Sequence, residues 1–99
     1  MPETHKDIMA TAKETVTMLG GFFYTLHQSA RVQGSAGLPD AFCFAKKDGL
    51  LVAFWFEGKT ERDKLRPEQK AFKALCSLTT PPLPVVVGRA GDITDFLGL

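Results

Sequence analysis

Between Asp40 and Glu57 two apolar runs lie on either side of Lys46-Lys47-Asp48-Gly49. No other feature of the chain restricts its fold as much. Two runs of strand-forming residues joined by a short segment ending in Asp-Gly pair as an antiparallel hairpin, because Gly49 is free to take the positive φ of the turn. The first strand is read as Asp40 to Ala45, with Phe42 and Phe44 on one face and Ala41, Cys43 and Ala45 on the other. Such small residues imply close packing, which we assign to the first helix. The second strand, Leu50 to Glu57, is apolar on both faces and belongs at the centre of a sheet.

The rest of the chain is arranged around this pair. Ile8, Met9, Ala12, Val16 and Leu19 recur at three- and four-residue steps, which predicts a helix over Lys6 to Leu19, started by Thr4 or His5 and stopped by Gly20-Gly21. The aromatic stretch from Gly21 to Gln28 reads as a strand, and the polar, glycine-containing segment from Gln28 to Leu38 as an exposed loop. After the hairpin, Thr60 to Arg66 is a charged loop. Pro67 and Glu68 suit the first turn of a helix running to about Leu78, whose apolar row would be Ala71, Leu75 and Leu78 with Phe72 and Cys76 beside it. Pro84 to Gly88 predicts a short buried strand. Gly91-Asp92 opens a last short helix carrying Ile93, Phe96 and Leu97, with Asp92 as its cap. The order α-β-β-β-α-β-α predicts an α/β fold in which a three-strand meander and one crossover make a mixed sheet flanked by helices.

Ninety-nine residues suit a single domain over 1–99 with one modest core. No apolar run is long enough to cross a bilayer, and residues 1–10 lack the apolar centre of a secretory signal, so the expectation is a cytoplasmic protein with no membrane partner. Two cysteines, both in apolar segments, read as buried reduced thiols. A net charge of +1 makes no general case for nucleic acid, but six of the twelve basic residues fall between Lys59 and Lys73. Taken alone, that span reads as a solvated face diluted by Glu61, Asp63 and Glu68.

Asp40, Glu57 and Lys59 sit at the ends of the apolar strands. Strand periodicity puts Glu57 and Lys59 on one face, and hairpin pairing brings Asp40 to the same end. Individually these are ordinary residues: a turn aspartate, and polar groups where a strand meets water. Together they are two carboxylates that repel unless a cation lies between them. Mg²⁺ suits such a pair, being a hard ion that takes one or two carboxylates and fills its shell with water and phosphate oxygens. Gly58 would let its own carbonyl approach the ion, and Lys59 would stabilise negative charge developing on a phosphate.

The segments Gly37-Leu38-Pro39-Asp40, Phe56-Glu57-Gly58-Lys59-Thr60 and Leu65-Arg66-Pro67-Glu68-Gln69-Lys70-Ala71-Phe72 resemble the PD-(D/E)xK, restriction-endonuclease-like nucleases, specifically their VRR-NUC branch. The resemblance runs roughly from Arg31 to Val87. It implies a metal-dependent DNA endonuclease with catalytic residues Asp40, Glu57, Lys59 and Gln69. Mg²⁺ or Mn²⁺ would be held by Asp40, Glu57 and the Gly58 carbonyl, with Glu14 of the first helix as a further metal-site residue and Glu3 as the alternative. DNA contacts would come from Arg31, Arg62, Lys64, Arg66, Lys70 and Lys73, with His27 a further candidate. Related nucleases carry a tyrosine four residues after the helix glutamine, where this chain has Lys73. Short members of the branch are phage or bacterial homodimers acting on branched DNA such as Holliday junctions. The rival reading is a non-catalytic DNA-binding or assembly module that kept the fold. Trp55 and the paired phenylalanines are expected in the core or at a dimer interface.

Overall fold

The computed structural model describes residues 3–26, 37–60, 62–80 and 82–99. It is an α/β fold of four strands and three helices in the order α1 (His5–Met18), β1 (Phe22–Thr25), β2 (Ala41–Lys47), β3 (Leu50–Gly58), α2 (Pro67–Leu78), β4 (Val85–Gly88) and α3 (Ala90–Phe96). The sheet order is β1-β2-β3-β4, antiparallel across the first two pairs and parallel between β3 and β4. The mixed sheet with one crossover is therefore the one expected. The loop from Gln28 to Leu38 lies mostly outside the described residues.

Local chemistry explains most boundaries. Thr4 starts α1 by accepting the Asp7 N–H on its hydroxyl, while the Asp7 carboxylate accepts the Thr4 N–H, so two end groups are satisfied reciprocally. The hairpin turn is tighter than the sequence reading placed it. Lys46 and Lys47 stay in β2, opposite Leu51 and Leu50, and only Asp48 and Gly49 turn, both with positive φ. A two-residue turn of this kind matches the right-handed twist of the strands it joins. Asp92 is the third residue of α3 rather than its cap: the helix starts at Ala90, and the Asp92 carboxylate reaches back to the Arg89 N–H at 2.8 Å.

The two faces of the sheet are covered differently. On one, Ala41, Cys43, Ala45, Phe54, Phe56 and Val86 are buried against Ile8, Ala12 and Val16 of α1 and against Ile93 and Leu97 at α3. This is the main core, and the small side chains of β2 do admit the first helix. Burial there pushes the Cys43 thiol up to about 12, which keeps it protonated; both cysteines are free and buried. On the other face the aromatic rings form a chain, Phe44 on Phe42, Phe42 on Trp55, and Trp55 on Phe72 of α2. Phe22 and Tyr24 pair with Phe44 and Phe42 on that same face, yet are 73% and 70% exposed.

Helix α2 has the expected span but a different buried side. Leu75 and Leu78 are 61% and 82% exposed, Ala71 is exposed, and the inward residues are Gln69 and Cys76, with Phe72 on Trp55. Hydrophobicity alone assigned the wrong row, because a polar glutamine has a buried partner on the sheet. β4 is also less enclosed than expected, with Val86 its one buried residue.

Phe54→Ala should lower unfolding stability by about 3–5 kcal/mol in urea titration, since Phe54 is fully buried between α3 and the sheet.

Candidate active site

The open end of the β2/β3 hairpin carries three buried polar side chains. Asp40 is 6% exposed, Glu57 4% and Gln69 7%. The register pairs Ala41 with Phe56, so Asp40 falls opposite Glu57 one step further out. There the ladder is replaced by side-chain bonds. The Asp40 N–H donates to Glu57 Oε2 at 3.1 Å, and the Gly58 N–H donates to Asp40 Oδ2 at 2.9 Å. Each carboxylate is thus held by the backbone of the other's strand.

Two helices complete the surroundings. From α2, Gln69 Nε2 donates to Glu57 Oε1 at 2.6 Å, while Gln69 Oε1 accepts the Arg66 N–H at 2.8 Å. The glutamine caps its own helix and grips the carboxylate at once. From α1, His5 Nε2 lies 2.9 Å from Asp40 Oδ2, and a ring nitrogen facing a carboxylate acts as donor. Lys59 Nζ approaches Glu57 Oε1 at 3.6 Å from the same face of β3.

Two glycines allow this convergence. Gly37 is buried at φ +88°, and a Cβ there would lie 2.5 Å from the Glu68 carbonyl oxygen, so the Gly37–Asp40 segment rests directly on the first turn of α2. A Cβ on Gly58 would lie 3.2 Å from both Ile8 Cγ2 and Met9 Sδ. The absent side chain at Gly58 lets the first turn of α1 close over the strand end, a packing reason not visible in the motif.

Electrostatics distinguish the two acids. Burial first, and then the charge of Asp40, raise Glu57 above the ordinary carboxylate range; Lys59 and the Asp40 N–H oppose the shift. Folded Glu57 therefore holds its proton more tightly than unfolded Glu57. Among the described residues, no group of three or more His, Cys, Asp and Glu side chains is disposed to hold a metal. What the site offers is a pair, Asp40 and Glu57, with the strand-end backbone beside it. That donor set fits a small hard cation that keeps several waters, and does not fit an ion needing a full protein cage.

Of the residues expected at the site, Asp40, Glu57, Gly58, Lys59 and Gln69 come together. Glu14 does not. It is exposed two and a half turns beyond His5, on the side of α1 opposite His5 and turned away from the buried row Ile8, Ala12 and Val16. Glu3, the alternative, is paired with Arg89 at 3.3 Å. Arg62, Lys64, Arg66, Lys70 and Lys73 are all exposed; Arg31 and His27 lie outside the described residues. Sequence reasoning missed His5, which is 35 positions from Asp40 and carries no local signal. It also missed an open groove of about 400 Å³ beside Lys59, walled by Thr60, Asp63, Arg89 and Asp92. No protein-family model matches this chain, and comparison finds no significantly similar curated protein or solved structure.

The raised Glu57 makes stability depend on pH in a definite direction. With the folded pKa above the unfolded one, the contribution is full below the unfolded carboxylate value and is lost as pH rises through the folded one. Thermal melting across that window should show falling stability for the wild type and a flatter profile for Glu57→Gln.

Proposed function

We propose that this chain is a metal-dependent DNA endonuclease of the restriction-endonuclease-like kind, hydrolysing phosphodiester bonds with a preference for branched DNA. The observation that carries the reading is the buried cluster of Asp40, Glu57 and Gln69, with Lys59 beside it, at one end of the central hairpin. Two carboxylates kept out of water at hydrogen-bonding range of each other's strands cost stability, and their retention is explained by a use for concentrated negative charge. The order α-β-β-β-α-β-α and the single crossover accord with that fold.

Asp40 and Glu57, with the Gly58 carbonyl, would hold Mg²⁺ or Mn²⁺. Such an ion supplies a more acidic bound water and a polarised phosphoryl oxygen. The remaining work falls to the chain. Gln69 fixes the direction of the Glu57 carboxylate through its 2.6 Å bond. Lys59 is 17% exposed at its side chain, reachable from solvent yet held near Glu57, and places its ammonium to stabilise charge on the phosphate. The exposed bases Arg62, Lys64, Arg66, Lys70 and Lys73 follow Lys59 along the loop and α2, and would track the DNA backbone.

A second copy of the chain is the proposed occupant of the aromatic face. Phe22, Tyr24 and Leu51 share it at 73%, 70% and 67% exposure. At those exposures the three side chains supply roughly half of the about 800 Å² per partner of a standard interface, so Phe42, Phe44, Trp55 and the flanking strand residues would have to join the contact. Two sites related by a twofold axis suit paired cuts in a symmetric junction. Membrane association is not part of this reading: among the described residues no helix is long and apolar enough to cross a bilayer.

A non-catalytic DNA-binding or assembly module is the second reading. The hydrogen bonds that tie both carboxylates to neighbouring strands and helices favour it, since they also serve as fastenings. Metal separates the two: the enzyme binds Mn²⁺ and loses it in Asp40→Ala and Glu57→Ala, whereas the module is indifferent.

Labelled linear duplex, single strand, flap and four-way junction should be incubated with Mg²⁺ or Mn²⁺. The junction is expected to be cut, with Lys59→Ala about 10²–10³-fold slower. Absence of metal-dependent cleavage of every substrate by the wild type overturns the enzyme, and cutting of flaps without junctions overturns the substrate preference. For the dimer, sedimentation should give twice the chain mass, and Phe22→Ser with Tyr24→Ser should give a monomer; a monomeric wild type overturns it.

A further inference from the structure

We propose that His5 is a positioning residue of this site, acting through Asp40 to set the affinity for the divalent cation. The inference rests on the metal reading above and concerns a side chain that reading does not use.

Three observations carry it. The first is placement. His5 opens α1, in the turn capped by Thr4 and Asp7, and a Cβ on Gly58 would lie 3.4 Å from His5 Nε2. The imidazole is therefore held over the strand end that carries the site. The second is how the bonds divide. Among the described residues, both hydrogen bonds to the Asp40 carboxylate land on Oδ2, at 2.9 Å from His5 Nε2 and 2.9 Å from the Gly58 N–H. Two donors from two rigid elements fix the plane of the carboxylate and occupy one oxygen, which leaves Oδ1 as the oxygen available to a cation. Glu57, by contrast, has both oxygens engaged, Oε2 by the Asp40 N–H and Oε1 by Gln69 and Lys59. Asp40 is thus the carboxylate with one oxygen wholly unpartnered among the described residues, while Glu57 would meet a cation through its remaining lone pairs, and His5 holds Asp40.

The third is exposure. The His5 side chain is 53% exposed while that of Asp40 is 9% exposed. A histidine whose purpose was packing would be enclosed; this one presents one edge to Asp40 and leaves much of its ring in solvent. Replacing it also opens no core cavity. Partners that orient a ligating group typically change metal affinity 10–100-fold when removed.

Mn²⁺ affinity of the full chain, measured by electron paramagnetic resonance, tests this with wild type, His5→Ala, His5→Phe and His5→Gln, each also melted without metal. His5→Ala should bind about 10–100-fold more weakly. His5→Phe, which keeps a ring over Gly58 but donates nothing, should match it. His5→Gln, whose amide restores a donor, should recover affinity close to wild type. If the alanine variant melts below the assay temperature, the phenylalanine and glutamine variants decide. Wild-type affinity in His5→Phe overturns the proposal and leaves His5 a helix-docking contact, even where the melting temperature falls. A wild type that binds no Mn²⁺ brings down the metal reading, and this inference with it.

Discussion

Everything at the candidate site depends on keeping two carboxylates out of water side by side. Asp40 and Glu57 are each less than a tenth exposed, and such groups are costly to bury unless nearly every lone pair has a partner. The fold meets most of that demand from four directions and leaves Asp40 Oδ1 open among the described residues. The strands exchange backbone donors, Asp40 N–H to Glu57 and Gly58 N–H to Asp40. The helices add one side chain each, Gln69 from α2 and His5 from α1, and Lys59 adds a nearby charge. Elements far apart in sequence are drawn to one point because each carries a donor that the acids require.

The architecture explains why the site lies where it does. Helices α1 and α3 enclose one face of the sheet in a continuous apolar core. The other face receives α2 at one end, through Phe72 on Trp55 and Gln69 on Glu57, and is left with exposed aromatics toward β1. The site occupies the seam between these coverings, where α1 comes over the strand end from one side and α2 grips it from the other. Gly37 and Gly58 sit at these contacts: a Cβ on Gly37 would collide with the Glu68 backbone, and one on Gly58 would press on Ile8 and Met9 unless they shifted by a few tenths of an ångström. A glycine inside a catalytic-looking motif can thus be explained by packing without reference to a ligand.

Much of this was legible in the chain, for identifiable reasons. The hairpin and the pairing of Asp40 with Glu57 follow from period-two geometry, which is local and strict, whereas the sequence reading makes the turn two residues too long because Lys46 and Lys47 carry no strand signal of their own. The limits of α2 followed from Pro67 and from the prolines of Thr79-Thr80-Pro81-Pro82, and the packing of α1 on β2 from the small face Ala41, Cys43 and Ala45. The buried side of α2 was misread because apolar periodicity ranks Leu75 above Gln69, and only a partner on another element reverses that order. Glu14 lies on α1, but residues nine apart on a helix point in opposite directions, and it is His5 that occupies the end touching Asp40.

Backbone periodicity and turn chemistry act over a few residues, so the strands, the order of elements and the facing of Asp40 and Glu57 could be read from the chain. Tertiary structure decided which helix residues meet those acids and which oxygen each donor takes. It also decided that Gly58 is a packing glycine, and how far the aromatic face stays open. These outcomes depend on where rigid elements come to rest against one another. A bond such as His5 to Asp40 at 2.9 Å has no trace in the residues between them, so the hairpin was readable in the chain and its surroundings were not.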